Sequence, residues 1–300
     1  MFLQLLINGL IAGAIYALVA CGFSLIYSTN KFVHFAHGAV IVVSSYMLFT
    51  FFNLLGLPLW LAIIVTLIVA GGFGFLINYL VYDKLRSRKA SPTILLIASI
   101  ALLILIESLI LIFFGADVKI IQSFQRHGIN FLGAIITPVQ LIIIGTSIAL
   151  LVGLLLFMKK TKLGKEFRAV ADSPELIEMM GISSKKLFAY SFIIGSVLAA
   201  VAGVLVALEL NVEPTMGSNL MIKGFTGAVI GGITSVPGAI IGSFLLGITE
   251  NYGIWFLPSS YKDAIAFMLL FIFLLFMPNG ILGKNKGWNN KWLLIILYIC

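Results

Sequence analysis

Charge is scarce in this chain. Asp, Glu, Lys and Arg make up 10% of its 300 residues, against 61% apolar, and the mean hydropathy is +1.15. A soluble domain carries about 25% charged residues, so this deficit excludes a soluble fold and makes lipid the solvent. Cysteine is limited to Cys21 and Cys300, which gives no basis for a disulfide framework or a thiolate metal site. His34 and His37 lie three apart, but no third Cys, His or acid joins them locally, and no metal centre is expected. No G-x-x-x-x-G-K-[ST] loop occurs, so the chain has no such route to ATP, and neither a cofactor nor covalent catalysis is expected. The N-terminus lacks a basic n-region and its apolar run is long enough to span, which reads as a retained helix rather than a cleaved signal.

What is present is a series of long apolar runs. They are continuous rather than alternating, so the expected fold class is an all-α polytopic membrane protein, a tight bundle of about 8–9 transmembrane helices. The expected spans are Phe2 to Tyr27, Phe32 to Phe52, Leu59 to Tyr82, Thr93 to Phe114, Val139 to Met158, Leu187 to Leu208, Leu220 to Ile233, Pro237 to Phe256 and Ala264 to Met277. Fifteen of the nineteen Lys and Arg fall in loops that alternate spans place on one side, which is therefore read as cytoplasmic. This topology accounts for the net charge of +8 without nucleic acid. It holds only if Leu220 to Ile233 and Pro237 to Phe256 cross separately, with a broken helix at GGITSVPG, near residues 231–238.

Small residues four apart, at Gly9, Gly13, Ala17 and Cys21 and again at Gly195, Ala199 and Gly203, let helices approach closely. Asn8 and Glu107 are polar groups at membrane depth that must face protein or water; Glu209 and Glu250 lie nearer span ends. FVHFAHGA opens the second span with small residues around His37. The interval Gly115 to Pro138, with Phe124, Arg126, His127 and Phe131, is long enough to cap a mouth or meet a partner. Around GGITSVPG, Gly231, Gly232, Ser235 and Pro237 preclude an uninterrupted helix, and broken helices of this kind often line transport pathways. A buried kink or short turn is the alternative. Asn8, His37, Glu107, Gly231, Gly232, Ser235 and Gly238 are thus the pathway candidates.

The one long polar interval is Lys159 to Lys186, with seven of the basic residues and four of the acids. Ser173, Pro174 and Glu175 form a helix start, and Gly181 stops it after about two turns. A helix this short needs a surface to pack on. Its apolar side chains, Leu176, Ile177, Met179 and Met180, have no membrane to enter, and the expectation is that they have nothing of the chain's own to bury against.

TKLGKEFRAVADSPELIEMMGIS resembles the coupling segment of permeases in ABC importers of the branched-chain amino acid class. NGLIAGAIYALVACGFSLIYSTNKFVHFAHGA is similar to that family's first two helices, and GGITSVPGAIIGSFLLG with MPNGILG to its C-terminal part, closer to the LivH-type subunit than to its longer LivM-type partner. The resemblance implies a permease subunit, without ATPase activity of its own, in the cytoplasmic (inner) membrane of a prokaryote. It also implies a second, LivM-type permease, two cytoplasmic ATP-binding subunits and an extracytoplasmic solute-binding protein. Gly164, Arg168, Ala169, Asp172, Pro174, Glu175, Leu176, Met179, Met180 and Gly181 would form the ATPase-coupling segment. Residues 1–283 are expected to form a single permease domain and 284–300 a cytoplasmic or interfacial tail. Alternatives are a same-family permease for urea or short amides, a proton-coupled secondary transporter using Glu107, and an intramembrane enzyme with His34 and His37 as metal ligands.

Overall fold

A chain in lipid must pair its own N–H and C=O groups, and the uninterrupted apolar runs do so as helices. The computed structural model describes residues 2–121, 128–131 and 134–283. Its helices are α1 (Phe2–Asn30), α2 (His37–Phe49), α3 (Leu59–Ile77), α4 (Asp83–Ser87), α5 (Pro92–Phe114), α6 (Pro138–Lys160), α7 (Lys162–Asp172), α8 (Pro174–Met179), α9 (Ser184–Glu209), α10 (Met216–Gly231), α11 (Val236–Gly253) and α12 (Lys262–Phe276). π-helical turns extend α2 over Thr50–Leu54 and join α3 to α4 over Asn78–Tyr82. With these extensions, seven helices among the described residues are long and apolar enough to cross a membrane. α10 and α11 pass the same test only as a pair, bent by 116° at the break between them, and taken as one span they would bring the number to eight. A two-stranded hairpin, β1 (Ile129–Phe131) with β2 (Ala134–Ile136), is the departure from an all-helical fold.

The centre is α1. Buried residues make up 89% of its most apolar stretch, against 22% for α5 and α6 and 6% for the last span. The glycine stripe explains this position: a Cβ on Gly9 would lie 2.9 Å from Ile248 Cα, and one on Gly13 2.9 Å from Phe244 Cα. Further along, Ser24 Oγ donates to Ile233 O at 2.9 Å and Cys21 Sγ lies 3.9 Å from Val236 O. Rising numbers on α1 meet falling numbers on α11, so the two run antiparallel. The second stripe works likewise, for a Cβ on Gly203 would lie 2.6 Å from Ile41 O.

The helix break falls at residues 232–235. Gly232 takes φ +112°, open to glycine alone at low cost. Ser235 caps α11 by accepting from Gly238 N at 3.2 Å, and Pro237 lies in the first turn, where its missing donor is harmless. The segment after α12 closes this elbow: Ile281 N and Leu282 N donate to Ile230 O and Gly231 O, both at 2.9 Å. Two motifs far apart in the chain thus meet at one corner.

Some boundaries differ from expectation. The second span starts at His37 and not at Phe32, because residues 31–36 form a non-helical connector. Ser99 Oγ supports that backbone, accepting from Phe35 N at 3.1 Å and donating to Val33 O at 3.3 Å. The third span runs on to Ser87, and α10 begins at Met216, ahead of Leu220. The polar interval is not a loop with one short helix, since α7 occupies its first half. Residues 284–300, with Phe124, Arg126 and His127 of the Gly115–Pro138 interval, lie outside the described residues.

Candidate functional site

α7 begins where Thr161 caps it, its side chain accepting from Gly164 N at 3.0 Å. Gly164 is buried against the last turn of α6, where a Cβ would stand 2.6 Å from Met158 Cα. Three-residue spacing then puts Phe167 and Val170 on the same inner face, packed with Leu25, Ile177 and Leu187. The opposite face exposes Arg168, Ala169 and Asp172. In α8, Glu175 is exposed and Pro174 half-buried. Ile177 is 2% exposed, whereas Met179 and Met180 are 83% and 76% exposed. This corrects one expectation: α8 does have a surface of its own, through Ile177 on α7, α1 and α9, and among its described apolar side chains the two methionines are the ones that project. Gly181 ends it at φ +79°, and Ser184 Oγ bonds Glu178 Oε1, tying α8 to the first turn of α9. Nothing is described for the Leu176 side chain.

The pathway candidates do not form one cluster. Gly231, Gly232, Ser235 and Gly238 are all at the elbow, where a Cβ on Gly231 would meet Gly238 backbone. His37 is buried deeper, against Gly22; a Cβ there would lie 2.9 Å from its ring. Asn8 is half-buried near the opposite end of α1, accepting from Gln4 Nε2 at 3.1 Å. Glu107 accepts from Ser218 N at 3.0 Å, so its carboxylate caps the first turn of α10, where the helix dipole favours an anion. Glu209 accepts from Gln140 Nε2 at 2.7 Å. His34 and His37 do not share a helical face, because His34 lies in the connector; their rings are 6.2 Å apart. Burial, and then the nearby His37 and Arg86, hold His34 well below the usual histidine range, and its Nδ1 lies 2.9 Å from Tyr82 Oη.

Two polar clusters escaped the sequence reading. Glu250, fully buried, accepts from Tyr16 Oη at 2.9 Å and faces Lys223 Nζ at 3.5 Å, while Lys223 also reaches Asp263 at 3.2 Å. This joins α1, α10, α11 and α12 around one ammonium. The available signal was a lysine inside an apolar run with an acid in the next. At the end of the bundle that carries α7, Arg86 reaches Asn78 Oδ1 at 3.3 Å, Asp83 at 3.5 Å and Asn30 Oδ1. In sequence, the basic residues there point to topology alone.

The profile of a family described as "Branched-chain amino acid transport system / permease component" matches residues 5–274. The chain is 36% identical, over 95% of its length and 97% of the relative's, to the high-affinity branched-chain amino acid transport system permease protein BraD of Pseudomonas aeruginosa. It is 35% identical to the high-affinity permease protein LivH of Escherichia coli K12, over 95% and 96% of the two chains. With a probable LivH of Methanocaldococcus jannaschii the identity is 30%, over 94% and 93%. Among solved structures, PsaBC from Streptococcus pneumoniae in complex with Fab is similar over 96% of each chain, with a TM-score of 0.52 and 18% identity, a likeness of fold.

Proposed function

The chain belongs to the branched-chain amino acid transport permease family, and on that premise we propose that it is the membrane-embedded subunit of an ABC importer. It carries leucine, isoleucine, valine or related small amino acids across the cytoplasmic membrane by alternating access. The observation that carries this reading is the similarity to two such permeases over 95% of the chain. Residues 1–283 act as one permease unit. ATP is hydrolysed on two separate cytoplasmic subunits, a LivM-type permease completes the pathway, and a binding protein outside the membrane delivers the solute.

The surface that meets the ATPase is the exposed side of α7 and α8, with Arg168, Ala169, Asp172, Glu175, Met179, Met180 and Gly181. Gly164, Pro174 and Ile177 hold it on the bundle. Methionine suits such a contact, since its flexible thioether fills an irregular partner groove. Two large apolar side chains exposed on a short polar segment are better satisfied by a protein partner than by water.

Co-purification tests the assembly: the tagged chain expressed with the second permease and the ATPases should bring all of them down in mild detergent. Uptake of labelled leucine by the reconstituted complex tests the solute; urea uptake without leucine uptake would overturn that assignment. Replacing Met179→Glu and Met180→Glu should reduce uptake at least about tenfold, since two desolvated anions oppose docking by more than 1.4 kcal/mol. Membrane insertion should be unchanged, and normal uptake would remove α8 from the coupling role.

A further inference from the structure

Arg86 is the feature that membrane topology leaves unexplained. A basic residue that serves only to orient loops stays solvated, yet the Arg86 side chain is 19% exposed. Its carboxylate neighbour Asp83, at 3.5 Å, is the more exposed partner at 30%. The other contacts come from different parts of the chain. Asn78 Oδ1, in the π-helical turn that follows α3, accepts at 3.3 Å, and Asn30 Oδ1, at the end of α1, accepts from the second terminal nitrogen. The guanidinium carbon lies 4.6 Å from the Phe188 ring centroid of α9 and 5.8 Å from that of Phe32 in the connector. One planar group thus holds α1, the α3–α4 junction, α9 and the connector before α2. An apolar side chain would fill this space at a smaller desolvation cost; the fork adds fixed directions between the segments it joins.

The two sides of this group lead to different places. Asn30 Nδ2 passes the contact to Ser191 Oγ at 3.0 Å. Phe188 and Ser191 lie in the first two turns of α9, and α9 opens at Ser184, which is bonded to Glu178 of α8. On the other side, Phe32 packs on Tyr82 with centroids 4.9 Å apart, and Tyr82 Oη meets His34 Nδ1 at 2.9 Å. His37 follows at the start of α2. The π-turn between Asn78 and Tyr82 adds a residue to that stretch of helix, a distortion often kept at functional positions.

We propose that Arg86 is a positioning residue that fastens the start of α9 to the end of α1, so that displacement of α8 moves the connector at residues 31–36. This rests on the reading of α7 and α8 as the ATPase-facing surface. The clamp acts on coupling and makes no contact with the solute.

The test is the number of leucine molecules taken up per ATP hydrolysed by the complete complex in liposomes, a ratio that the yield of complex does not move. Arg86→Gln should lower it about tenfold while hydrolysis per complex persists. Arg86→Lys, which keeps the charge but loses the fork, should fall between. A parental ratio in Arg86→Gln would overturn the proposal. If Arg86→Gln yields no complex, Phe188→Leu removes the α9 ring that lies over the guanidinium and should lower the ratio about threefold; an unchanged ratio there is equally fatal. Met179→Glu with Met180→Glu separates the two readings. Loss there with a parental ratio in Arg86→Gln removes the clamp alone. A normal ratio there with loss in Arg86→Gln removes the route through α8.

Discussion

Lys223 and Glu250 carry opposite charges inside apolar helices, 27 residues apart, and each limits what the other can become. Glu250 has no exposed side-chain surface, and Lys223 is 16% exposed. Removing one partner strands a desolvated charge, a loss of about 3–5 kcal/mol for buried pairs, whereas replacing both by apolar groups is far milder. Glu250→Leu or Lys223→Met alone should therefore lower the thermal midpoint in detergent markedly. The double substitution should lie closer to the parent than either single one. A double variant whose loss equals the sum of the singles would show that the two groups do not interact. In Glu250→Leu the ammonium of Lys223 keeps Asp263 as a partner, whereas Lys223→Met strands the buried Glu250 carboxyl, so the loss should be larger for Lys223→Met.

Among the elements, α1 and α11 depend on each other through absent side chains. Gly13→Val would drive a branched side chain into Phe244, and overpacking of this kind costs about 1–3 kcal/mol. Gly72→Ala is the matched control, because a Cβ there meets nothing within 4 Å and alanine favours the helix. Gly13→Val should lower the midpoint and Gly72→Ala should leave it equal or slightly raised; equal loss in both would mean that helix propensity and not the α1–α11 contact is being measured. This contact was legible in the sequence because a four-residue glycine spacing is a local signal, as are 20-residue apolar runs and the GGITSVPG break. α7 was hidden because its buried face rests on Gly164, Phe167 and Val170 among seven polar or small neighbours, too sparse a stripe to see beside the lysines. The connector at 31–36 looks helical in sequence since FVHFA is apolar, and the side chain that holds its backbone, Ser99, is more than 60 residues away. Glu107 reads as an isolated intramembrane acid for the same reason: its partner, Ser218 N, is 111 residues distant.

On the scale of the whole molecule, the peripheral helices α5, α6 and α12 carry most of the lipid-facing surface, and α7 with α8 project from one end of the bundle. Phe2, stacked on Trp255 at 4.9 Å, marks the opposite end. From the excess of basic residues the α7 end is expected to face the cytoplasm. In a background of Cys21→Ser and Cys300→Ser, a membrane-impermeant maleimide applied outside should label Phe256→Cys and spare Met180→Cys until the membrane is opened. The reverse pattern would invert the topology and separate α8 from any cytoplasmic motor.

The burial of α1 also sets an order of events during synthesis. Tyr16 and Glu250 are 234 residues apart in the chain. At about 5–20 residues per second, roughly 10–50 seconds separate their translation. For that interval the groove of Gly9 and Gly13 faces lipid or other helices, because α11, whose backbone fills it, does not yet exist. A ribosome stalled after α9 would leave in the membrane a bundle with its axis uncovered, a natural substrate for the proteases that clear unassembled membrane chains.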